Sequence, residues 1–357
     1  NSVINVGVIE SNLASTNVIV DTGLDSGGGE SPGGQNGDIT VASQVDWNTA
    51  STLTLFANGD ITLNAGINGP SGGLDLFALG DITTGPAGTV EVDTFQLTSG
   101  DWRQIGTLPA FNARDFRINP SFGASFLRAS RGVGSAANPY VLDDIYGVQG
   151  LGTVGLGDQS FALERDIDAV GTDEWNLGTG FAAIGGPVAP FTGSLDGQGN
   201  SINDLTSVGS GAGFFGSTSG ASITDLTLAN VTIDGTGDVG ALVNNASDTT
   251  IDNVDITGNV SSDSAENIGG IVGDMSGTVA TLSNSSFTGD VTTNDMSGSG
   301  FNQGGLIGRI SGGELSASTF GGNISDSGVH GGLVSLGGAV GENLGQISGV
   351  LTFGVLS

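Results

Sequence analysis

Gly269-Gly270-Ile271-Val272-Gly273 and Gly304-Gly305-Leu306-Ile307-Gly308 are two copies of a pattern that recurs through the second half of the chain. We call this pattern the glycine motif. The other copies are Gly213-Phe214-Phe215-Gly216, Gly240-Ala241-Leu242-Val243 and Gly331-Gly332-Leu333-Val334. Each copy is followed by a strand-like stretch. Repetition of short strands and glycine turns is typical of a solenoid, in which neighbouring repeats stack and bury a shared core.

A second pattern, the apolar anchor, accompanies the glycine motif. It begins with an apolar residue and places further strand residues three and five positions later. The first residues of its copies are Ile223, Ile251, Leu282, Leu315 and Ile347. Because equivalent residues of successive repeats stack in a solenoid, these side chains should form one inward ladder. Glycines at the corners would supply the positive φ needed for turning between sheets.

The first hundred residues carry a shorter repeat. Its copies are Gly37-Asp38-Ile39-Thr40, Gly59-Asp60-Ile61-Thr62 and Gly80-Asp81-Ile82-Thr83. At a rise of about 3.3 Å per strand residue, this spacing predicts repeats of short strands joined by turns.

The composition supports an all-β fold. Of the 357 residues, 37% are hydrophobic and only 12% are charged, so the chain can bury a core and differs from a disordered protein. Apolar residues occur in short alternating runs, and helical periodicity is absent, which favours strands. We predict three regions: coils in 1–100, an interrupting segment that returns to coils in 101–180, and repeats in 181–357. The segment near 101–140 is expected to be irregular and to flank the solenoid.

The charge is strongly acidic, with 7 basic and 37 acidic residues and a net charge of −30. Such a surface repels the phosphates of nucleic acids, so a nucleic-acid partner is not expected. The absence of cysteine excludes disulfides, thiolate metal sites and a cysteine nucleophile. The start at Asn1, without a methionine or signal peptide, suggests a portion of a longer polypeptide.

The residues resemble known exported proteins. The glycine motif is similar to the GLUG motif of bacterial surface proteins and IgA-protease-like exoproteins. Residues 191–205, which begin Phe191-Thr192-Gly193-Ser194-Leu195-Asp196-Gly197, resemble the element that commonly precedes GLUG repeats, although Leu195 replaces the usual Phe. The Gly-Asp-Ile-Thr repeats resemble filamentous-haemagglutinin-type coils of two-partner-secretion exoproteins.

This resemblance implies a right-handed parallel β-helix that is exported through an outer-membrane transporter. It implies a location outside the cell or on the outer surface of a Gram-negative bacterium. It also implies adhesion or matrix scaffolding rather than catalysis, so we expect that the protein is not an enzyme. Expected partners are glycans or surface proteins, and further copies of the chain placed end to end.

The acidic residues could in principle form a catalytic or metal site. Most of them stand beside Gly or Asn in predicted turns, where Asp bonds its own backbone. No cofactor is expected, but opportunistic calcium binding stays open, with Asp196, Asp234 and Asp238 as candidate ligands. His330 is the only histidine, and Arg309 is the only arginine in the long repeats. We interpret Arg309 as a solvated surface charge and expect no catalytic or zinc role for His330.

One basic, aromatic-rich group stands out between residues 102 and 131. It consists of Trp102, Arg103, Arg114, Arg117, Arg128 and Arg131. One interpretation is a partner-binding patch, because Arg and aromatic residues are favoured in interface hot spots. The favoured interpretation is a flap that docks on the acidic solenoid through charge and ring burial.

The sequence therefore predicts a secreted or cell-surface adhesin or scaffold. One alternative is a structural subunit of an extracellular filament, because an uncapped solenoid end can pair with another chain. The other alternative is a polysaccharide lyase or hydrolase, which would need clustered carboxylates or a basic proton abstractor.

Overall fold

The computed structural model describes residues 2–23, 37–294, 300–328 and 332–357. The chain divides into two compact units. The first consists of Asn1–Arg131 and Thr153–Leu156, and the second of Gly132–Gly152 and Gly157–Ser357. Strands dominate both units, and the paired strands run parallel. The chain is all-β with long parallel sheets, as its composition predicts.

The described residues of the first unit form one α-helix and a nine-stranded sheet. Its elements are α1 (Val6–Leu13), β1 (Val18–Asp21), β2 (Ile39–Val41), β3 (Val45–Asp46), β4 (Thr52–Ala57), β5 (Ile61–Leu63), β6 (Ile67–Thr84), β7 (Val90–Ile105), β8 (Phe111–Ile118), a 3-10 helix at Pro120–Phe122, and β9 (Ser125–Ala129).

The short repeat, which was predicted to form strands joined by turns, also forms a ladder in this unit. Ile39, Ile61 and Ile82 are register partners in neighbouring strands, and all three are buried. The neighbouring Asp residues hold the turns together. The Asp38 carboxylate accepts a hydrogen bond from the Asp60 backbone N–H at 3.0 Å, and the Asp60 carboxylate accepts one from Asp81 at 2.9 Å.

The prediction of an irregular segment near 101–140 is wrong for residues 101–129, most of which lie in paired strands. Strand β7 continues to Ile105 and pairs with β9, while β8 pairs with the beginning of β7. Large rings take the inward positions here, in place of the small aliphatic residues of the earlier repeats. The buried rings are Phe95, Trp102, Phe116 and Phe126. Parallel pairing thus continues although the glycine signals of the repeat have disappeared, whereas residues 131–139 contain only turns, bends and isolated bridges.

The second unit contains two further sheets among the described residues, one of 16 strands and one of five. Its elements are β10 (Tyr140–Leu142), α2 (Ile145–Gly150), β11 (Ser160–Leu163), β12 (Ile167–Asp168), a 3-10 helix at Val170–Glu174, a helical turn at Trp175–Gly178, β13 (Ser194–Asp196), β14 (Ser201–Asn203), β15 (Thr206–Ser210), β16 (Phe215–Ser219), β17 (Ser222–Gly240), β18 (Val243–Ser247), β19 (Thr250–Gly269), β20 (Val272–Ser276), β21 (Thr281–Ser283), β22 (Ser286–Thr293), β23 (Phe301–Gly304), β24 (Ile307–Ile310), β25 (Glu314–Ser316), β26 (Thr319–Asp326), β27 (Val334–Gly337), β28 (Val340–Asn343), β29 (Gln346–Ser348) and β30 (Leu351–Leu356). The five-stranded sheet has the order β16-β18-β20-β24-β28.

The apolar anchor forms the predicted ladder in the larger sheet. Ile223, Ile251, Leu282, Leu315 and Ile347 are successive register partners. The first four are fully buried, and Ile347 in the last of these strands is 42% exposed. The apolar anchor also contains a turn between strands, although the sequence predicted such turns only at glycines. Two positions after each anchor residue the backbone is left-handed, at Asp225, Asn253, Asn284, Ala317 and Gly349.

The glycine motif links the larger sheet to the five-stranded sheet. Gly269 ends β19 and Val272 begins β20, with Ile271 buried at the corner between them. The fifth copy of the motif was placed wrongly in the sequence. The register pairs Ile307 with Val340, so the fifth copy is Gly337-Gly338-Ala339-Val340-Gly341. Gly331, in the copy first proposed, lies outside the described residues, as does His330.

No helix among the described residues has the length and apolar character needed to cross a membrane.

Candidate ligand-binding cleft

An open cleft of about 450 Å³ lies in the second unit beside the first copies of the glycine motif. Its polar lining comes from the larger sheet and from the five-stranded sheet. Its polar side chains include Ser207, Ser217, Thr236, Asp238, Asn244 and Asn245. Asp238 lies near the end of β17, and Asn245 lies in β18. The motif therefore brings side chains from two sheets to one concave surface.

Two buried side chains fix the backbone around the cleft. The Asn244 side chain accepts a hydrogen bond from the Gly240 N–H at 3.0 Å and donates one to the Gly211 carbonyl at 3.0 Å. The Ser207 hydroxyl donates to the Phe181 carbonyl at 2.8 Å and accepts from the Gly213 N–H at 3.1 Å. Their polar atoms are engaged with backbone, so Asn244 and Ser207 hold the shape of the cleft.

A row of polar residues leaves the cleft along the five-stranded sheet. We call it the inner row, and its members are the successive register partners Ser217, Asn245, Asp274, Arg309 and Glu342. Nε of Arg309 lies 3.0 Å from Oε2 of Glu342. Arg309 is therefore a partly exposed charge, as expected, and it is ion-paired within a row of acids and amides.

A second row, the outer row, runs beside the inner row on the larger sheet. The Asp238 carboxylate accepts a hydrogen bond from the Asn267 side chain at 2.6 Å, and Asn267 accepts one from Asn302 at 2.8 Å. The Asn302 amide also lies 3.4 Å from Oε2 of Glu342, which joins the outer row to the inner row. The two rows thus form one hydrogen-bonded polar surface.

Two carboxyl groups of this surface have raised pKa values. Burial is the main cause of the raised pKa of Asp238, and the nearby negative charge of Glu266 acts in the same direction. Burial also raises the pKa of Asp274, and the negative charge of Asp238 adds to it, whereas Arg309 opposes the shift. Oδ1 of Asp274 is buried and has no hydrogen-bond partner among the described residues.

This arrangement suits a ligand that carries several hydroxyl groups. A carboxylate accepts hydrogen bonds, an amide both donates and accepts them, and a protonated carboxyl donates one. A concave surface with a few convergent polar groups is the usual form of a small-ligand site. Acid–base chemistry on a glycosidic bond also uses a pair of carboxyl groups, one as the acid and one ionised as the base or nucleophile.

The structure separates the basic group predicted between residues 102 and 131. Trp102 and Arg128 are buried in the first unit, so neither can belong to a surface patch. Arg128 donates to the Pro109 carbonyl at 3.0 Å and lies over the Phe111 ring, with its guanidinium carbon 5.6 Å from the centroid.

The other arginines of the group are exposed or partly exposed. Arg114 makes a two-point ion pair with Asp93 at 2.6 and 3.1 Å, and Arg117 pairs with Asp115. Arg103 and Arg131 lie at the surface. Because β7, β8 and β9 belong to the sheet, the favoured flap interpretation is wrong. A partner-binding role for the exposed arginines stays a prediction.

The candidate calcium ligands are separated from one another. Asp196 accepts a hydrogen bond from the Gln198 N–H at 2.8 Å, as in an Asx turn, and Asp234 accepts one from the Ser261 hydroxyl at 3.0 Å. Within the described residues, no three His, Cys, Asp or Glu side chains are grouped closely enough to hold a metal ion. Calcium binding stays a prediction, with isothermal titration as its test.

Sequence reasoning found Asp238 but missed Asn245 and Asp274. A usable signal was present, because Asp274, Arg309 and Glu342 each directly follow the last glycine of a motif copy. Asn245 occupies the equivalent position, because Asn244 stands where the later copies have their last glycine. Only the place of Glu342 depended on the correct position of the fifth copy of the motif.

Residues 160–258 match the model of a family described as the N-terminal region of M26 IgA1-specific metallo-endopeptidases. The match covers less than half of the chain and includes the cleft but not Asp274, Arg309 or Glu342. Halomucin from Haloquadratum walsbyi is 36% identical over 159 residues, which is 41% of this chain. The chain spans only 2% of the length of halomucin.

A solved structure from Bacteroides ovatus, provisionally named an immunoglobulin A1 protease, is also similar. The likeness covers 62% of this chain and 77% of that chain, at 19% identity and a TM-score of 0.43. This low TM-score does not establish a shared fold.

The family match contradicts the prediction that the protein is not an enzyme, because the family matched by residues 160–258 is one of metallo-endopeptidases. The prediction followed from the resemblance to exported adhesins, whereas residues 160–258 match a family of endopeptidases. The halomucin match agrees with the prediction of a secreted or surface protein.

Proposed function

We propose that the chain is a right-handed parallel β-helix of a secreted or cell-surface protein, and that it binds neutral glycans in the cleft beside Asp238. The parallel pairing and the anchor ladder support the proposed β-helix. The glycan-binding proposal depends on one observation: Asp238 and Asn245 converge with hydroxyl groups on a cleft of about 450 Å³.

The charge of the cleft selects the class of glycan. The carboxyl groups of Asp238 and Asp274 lie close enough to influence each other electrostatically, and the chain carries a net charge of −30. This field repels sialic acids and uronic acids, whereas neutral hexoses lose little by entering it. Binding would therefore favour neutral oligosaccharides over acidic ones, with adhesion or matrix attachment as the outcome.

Titration of neutral and acidic oligosaccharides into the protein tests this proposal. Asn245→Ala should weaken binding of a neutral oligosaccharide about tenfold, since one ligand hydrogen bond in a site contributes roughly 1.4 kcal/mol. The matched control is Asn259→Ala, which changes an exposed amide outside the cleft. Equal affinity of the two variants, or no binding of any neutral glycan, would contradict the proposal.

The same experiment separates binding from hydrolysis. If the mixtures release new reducing ends, and Asp238→Asn and Asp274→Asn stop their release, the two carboxyl groups act as the acid and base of a polysaccharide hydrolase. Intact oligosaccharide after long incubation would leave binding as the role of the cleft.

The family match supports a second candidate function. In this alternative the chain is the N-terminal region of a metallo-endopeptidase that acts on IgA1, and the repeats bind the protein substrate. Surface plasmon resonance with immobilised IgA1, together with a cleavage assay on the full-length polypeptide, tests this alternative. If the chain does not bind IgA1 and the full-length polypeptide does not cleave it, this alternative is excluded.

The finer location is also part of the proposal. The outer surface of a Gram-negative bacterium, reached by two-partner secretion, is supported by the Gly-Asp-Ile-Thr repeats of the first unit. Protease accessibility of the protein on intact producing cells, compared with lysed cells, tests the surface location.

A further inference from the structure

Gln303 occupies a core position where its neighbours are aliphatic. In the parallel register its partner on one side is Ile268 and its partner on the other side is Leu336. Gln303 is nevertheless completely buried. Burying an amide at a place where the fold accepts Ile or Leu lowers stability unless every polar atom is engaged. The partners of this amide therefore show what the side chain does there.

The contacts of the amide identify its nitrogen and oxygen. One terminal atom lies 2.8 Å from the Val291 carbonyl and 3.1 Å from the Ser325 carbonyl, so it must be the donor Nε2. The other atom is the carbonyl oxygen Oε1, and it lies 3.3 Å from Oγ1 of Thr293. The amide is thus held at three points with its carbonyl group against a hydroxyl.

The hydroxyl of Thr293 has a second partner. Thr293 is buried, with 3% of its surface exposed, and it is the register partner of Asp326 in the next strand. Oγ1 of Thr293 lies 3.1 Å from Oδ1 of Asp326. A hydroxyl has a single proton, so it can donate to only one of these two acceptors. When it donates to the carboxylate, its lone pairs are left facing the carbonyl group of Gln303.

We propose that Thr293 and Gln303 form an intramolecular ester cross-link, with Asp326 as the base. The Thr293 hydroxyl transfers its proton to the Asp326 carboxylate as Oγ1 attacks Cδ of Gln303. The Cδ–Nε2 bond then breaks, and the nitrogen takes the proton back from Asp326 and leaves as ammonia. A new Oγ1–Cδ bond replaces the amide bond, so the step consumes no oxidant, reductant or water.

The surroundings favour this step in three ways. Oγ1 of Thr293 already lies 3.1 Å from the base and 3.3 Å from the acyl oxygen, so attack requires the hydroxyl to move only from Oε1 to the neighbouring carbon Cδ. Burial of Thr293 and Gln303 keeps out the water that would hydrolyse the ester. The Val291 and Ser325 carbonyls accept hydrogen bonds from the two hydrogens of Nε2, and these bonds strengthen when the leaving nitrogen gains a third proton and a positive charge.

A buried glutamine elsewhere in the second unit provides the internal control. Gln149 donates to the Ala182 carbonyl at 2.7 Å and accepts from the Ala182 N–H at 2.8 Å. Both of these partners are backbone groups rather than a hydroxyl with a carboxylate beside it. Gln149 should therefore keep its amide in the same preparation in which Gln303 loses it.

The cross-link would join the end of β22 to β23 and close the chain between them. The chain has no cysteine, so it has no disulfide with which to make such a closure. A covalent loop at this point would resist proteases that attack a secreted protein, because cleavage between Thr293 and Gln303 would leave the two strands joined.

Intact-mass spectrometry of the denatured full chain tests the proposal. The wild type should be lighter than its sequence by one ammonia, and peptide mapping should recover the Thr293 and Gln303 peptides as one linked species. Hydroxylamine, which cleaves esters, should separate them. Thr293→Val and Asp326→Asn should have the full mass, with circular dichroism as the check of folding.

Two results would overturn the proposal. One is the full sequence mass in wild type that has been incubated for long periods at neutral pH. The other is a loss of ammonia that persists in Thr293→Val, which would place the loss at an Asn-Gly pair such as Asn58-Gly59. Peptide mapping of the wild type decides the matter even if a variant fails to fold.

Discussion

The two units form their turns differently. In the first unit, Asp38 and Asp60 of the short repeat accept backbone hydrogen bonds from Asp60 and Asp81, which lie 22 and 21 residues later. In the second unit, the corner is a left-handed residue of the anchor, and stacked neighbours such as Asp225 and Asn253 are 28 residues apart. Later repeats of the second unit are longer still, with Ser285 and Ser318 33 residues apart.

The extra length of the second repeat has a structural use. It contains the glycine motif and one strand of the five-stranded sheet, a sheet that the described residues of the first unit do not form. Asn245 and the inner row stand on this sheet, and the proposed glycan cleft lies beside it. The added part of the repeat therefore carries the candidate site, while the part common to both units carries the core.

The largest effect is expected in the aromatic core of the first unit. Phe126→Ala removes a fully buried ring that stacks on Trp102 at 5.3 Å, and it should lower the free energy of unfolding by about 3–5 kcal/mol. Phe122→Ala, at a ring that is 63% exposed, should change it by less than about 0.5 kcal/mol. Urea titration followed by tryptophan fluorescence measures both, and similar losses would contradict a ring-filled core.

A pair of adjacent glycines tests the close backbone approach in the second unit. A Cβ at Gly322 would lie 1.9 Å from the Gly289 carbonyl oxygen, whereas a Cβ at Gly321 would meet nothing closer than 3.7 Å. Gly322→Ala should therefore cost about 3 kcal/mol, because backbone must move, and Gly321→Ala should be close to neutral. Thermal unfolding of the two variants provides the measurement, and equal melting temperatures would contradict the close backbone approach of Gly322 to Gly289.

The left-handed corner of the second unit offers a stabilising substitution. Ala317 has a φ of 46°, in a conformation that Asn adopts more readily than Ala. Ala317→Asn should raise stability by about 1 kcal/mol, and Asn253→Ala should lower it by a similar amount. The same exchange at exposed Ala87 of the first unit, which has no positive φ, should have little effect. If chemical denaturation gives Ala87→Asn and Ala317→Asn the same change in the free energy of unfolding, the left-handed conformation of Ala317 is not the cause of the effect.

The smallest effect is a pH dependence of opposite sign at two carboxyl groups. Because Asp274 has a raised pKa in the fold, its contribution to stability is complete below the ordinary value of 3.8 and is lost as pH rises through the folded pKa. Hydrogen bonds from Arg114 lower the pKa of Asp93, so its contribution is present above 3.8 and is lost as pH falls through the folded pKa.

Melting temperatures measured from pH 3 to pH 7 distinguish the two carboxyl groups. In the wild type, ionisation of Asp274 lowers the stability as the pH rises, and Asp274→Asn should abolish this decrease. Protonation of Asp93 lowers the stability as the pH falls, and Asp93→Asn should abolish that decrease. The same change of slope in both variants would contradict the assignments.

The sequence predicted the ladders well because they depend on local spacing. The Ile39–Ile61–Ile82 series and the anchor from Ile223 onward follow from apolar alternation and a nearly constant repeat length. Trp102 and Arg128 were harder to place, since their burial depends on the rings that surround them in space. Neither residue carries a signal of its own.

The cleft was only partly predictable for a different reason. The hydrogen bond from Asn267 to Asp238 joins residues 29 positions apart, across strands whose register shifts twice within a few residues. Each shift exchanges inward and outward positions, so spacing alone could not show which polar residues meet. Glu342 was also missed, because the fifth copy of the glycine motif was placed at Gly331 instead of Gly337.

The central claim is that successive repeats of the second unit stack in register as the proposed β-helix. The chain lacks cysteine, so spin labels can be attached at Thr224→Cys and Ser348→Cys without removing native thiols. Four register steps, through Asp252, Ser283 and Ser316, separate these positions. At about 4.8 Å per strand, pulsed electron paramagnetic resonance should give a narrow distribution centred at roughly 20 Å. A broad distribution, or one centred beyond roughly 30 Å, would contradict the stacking.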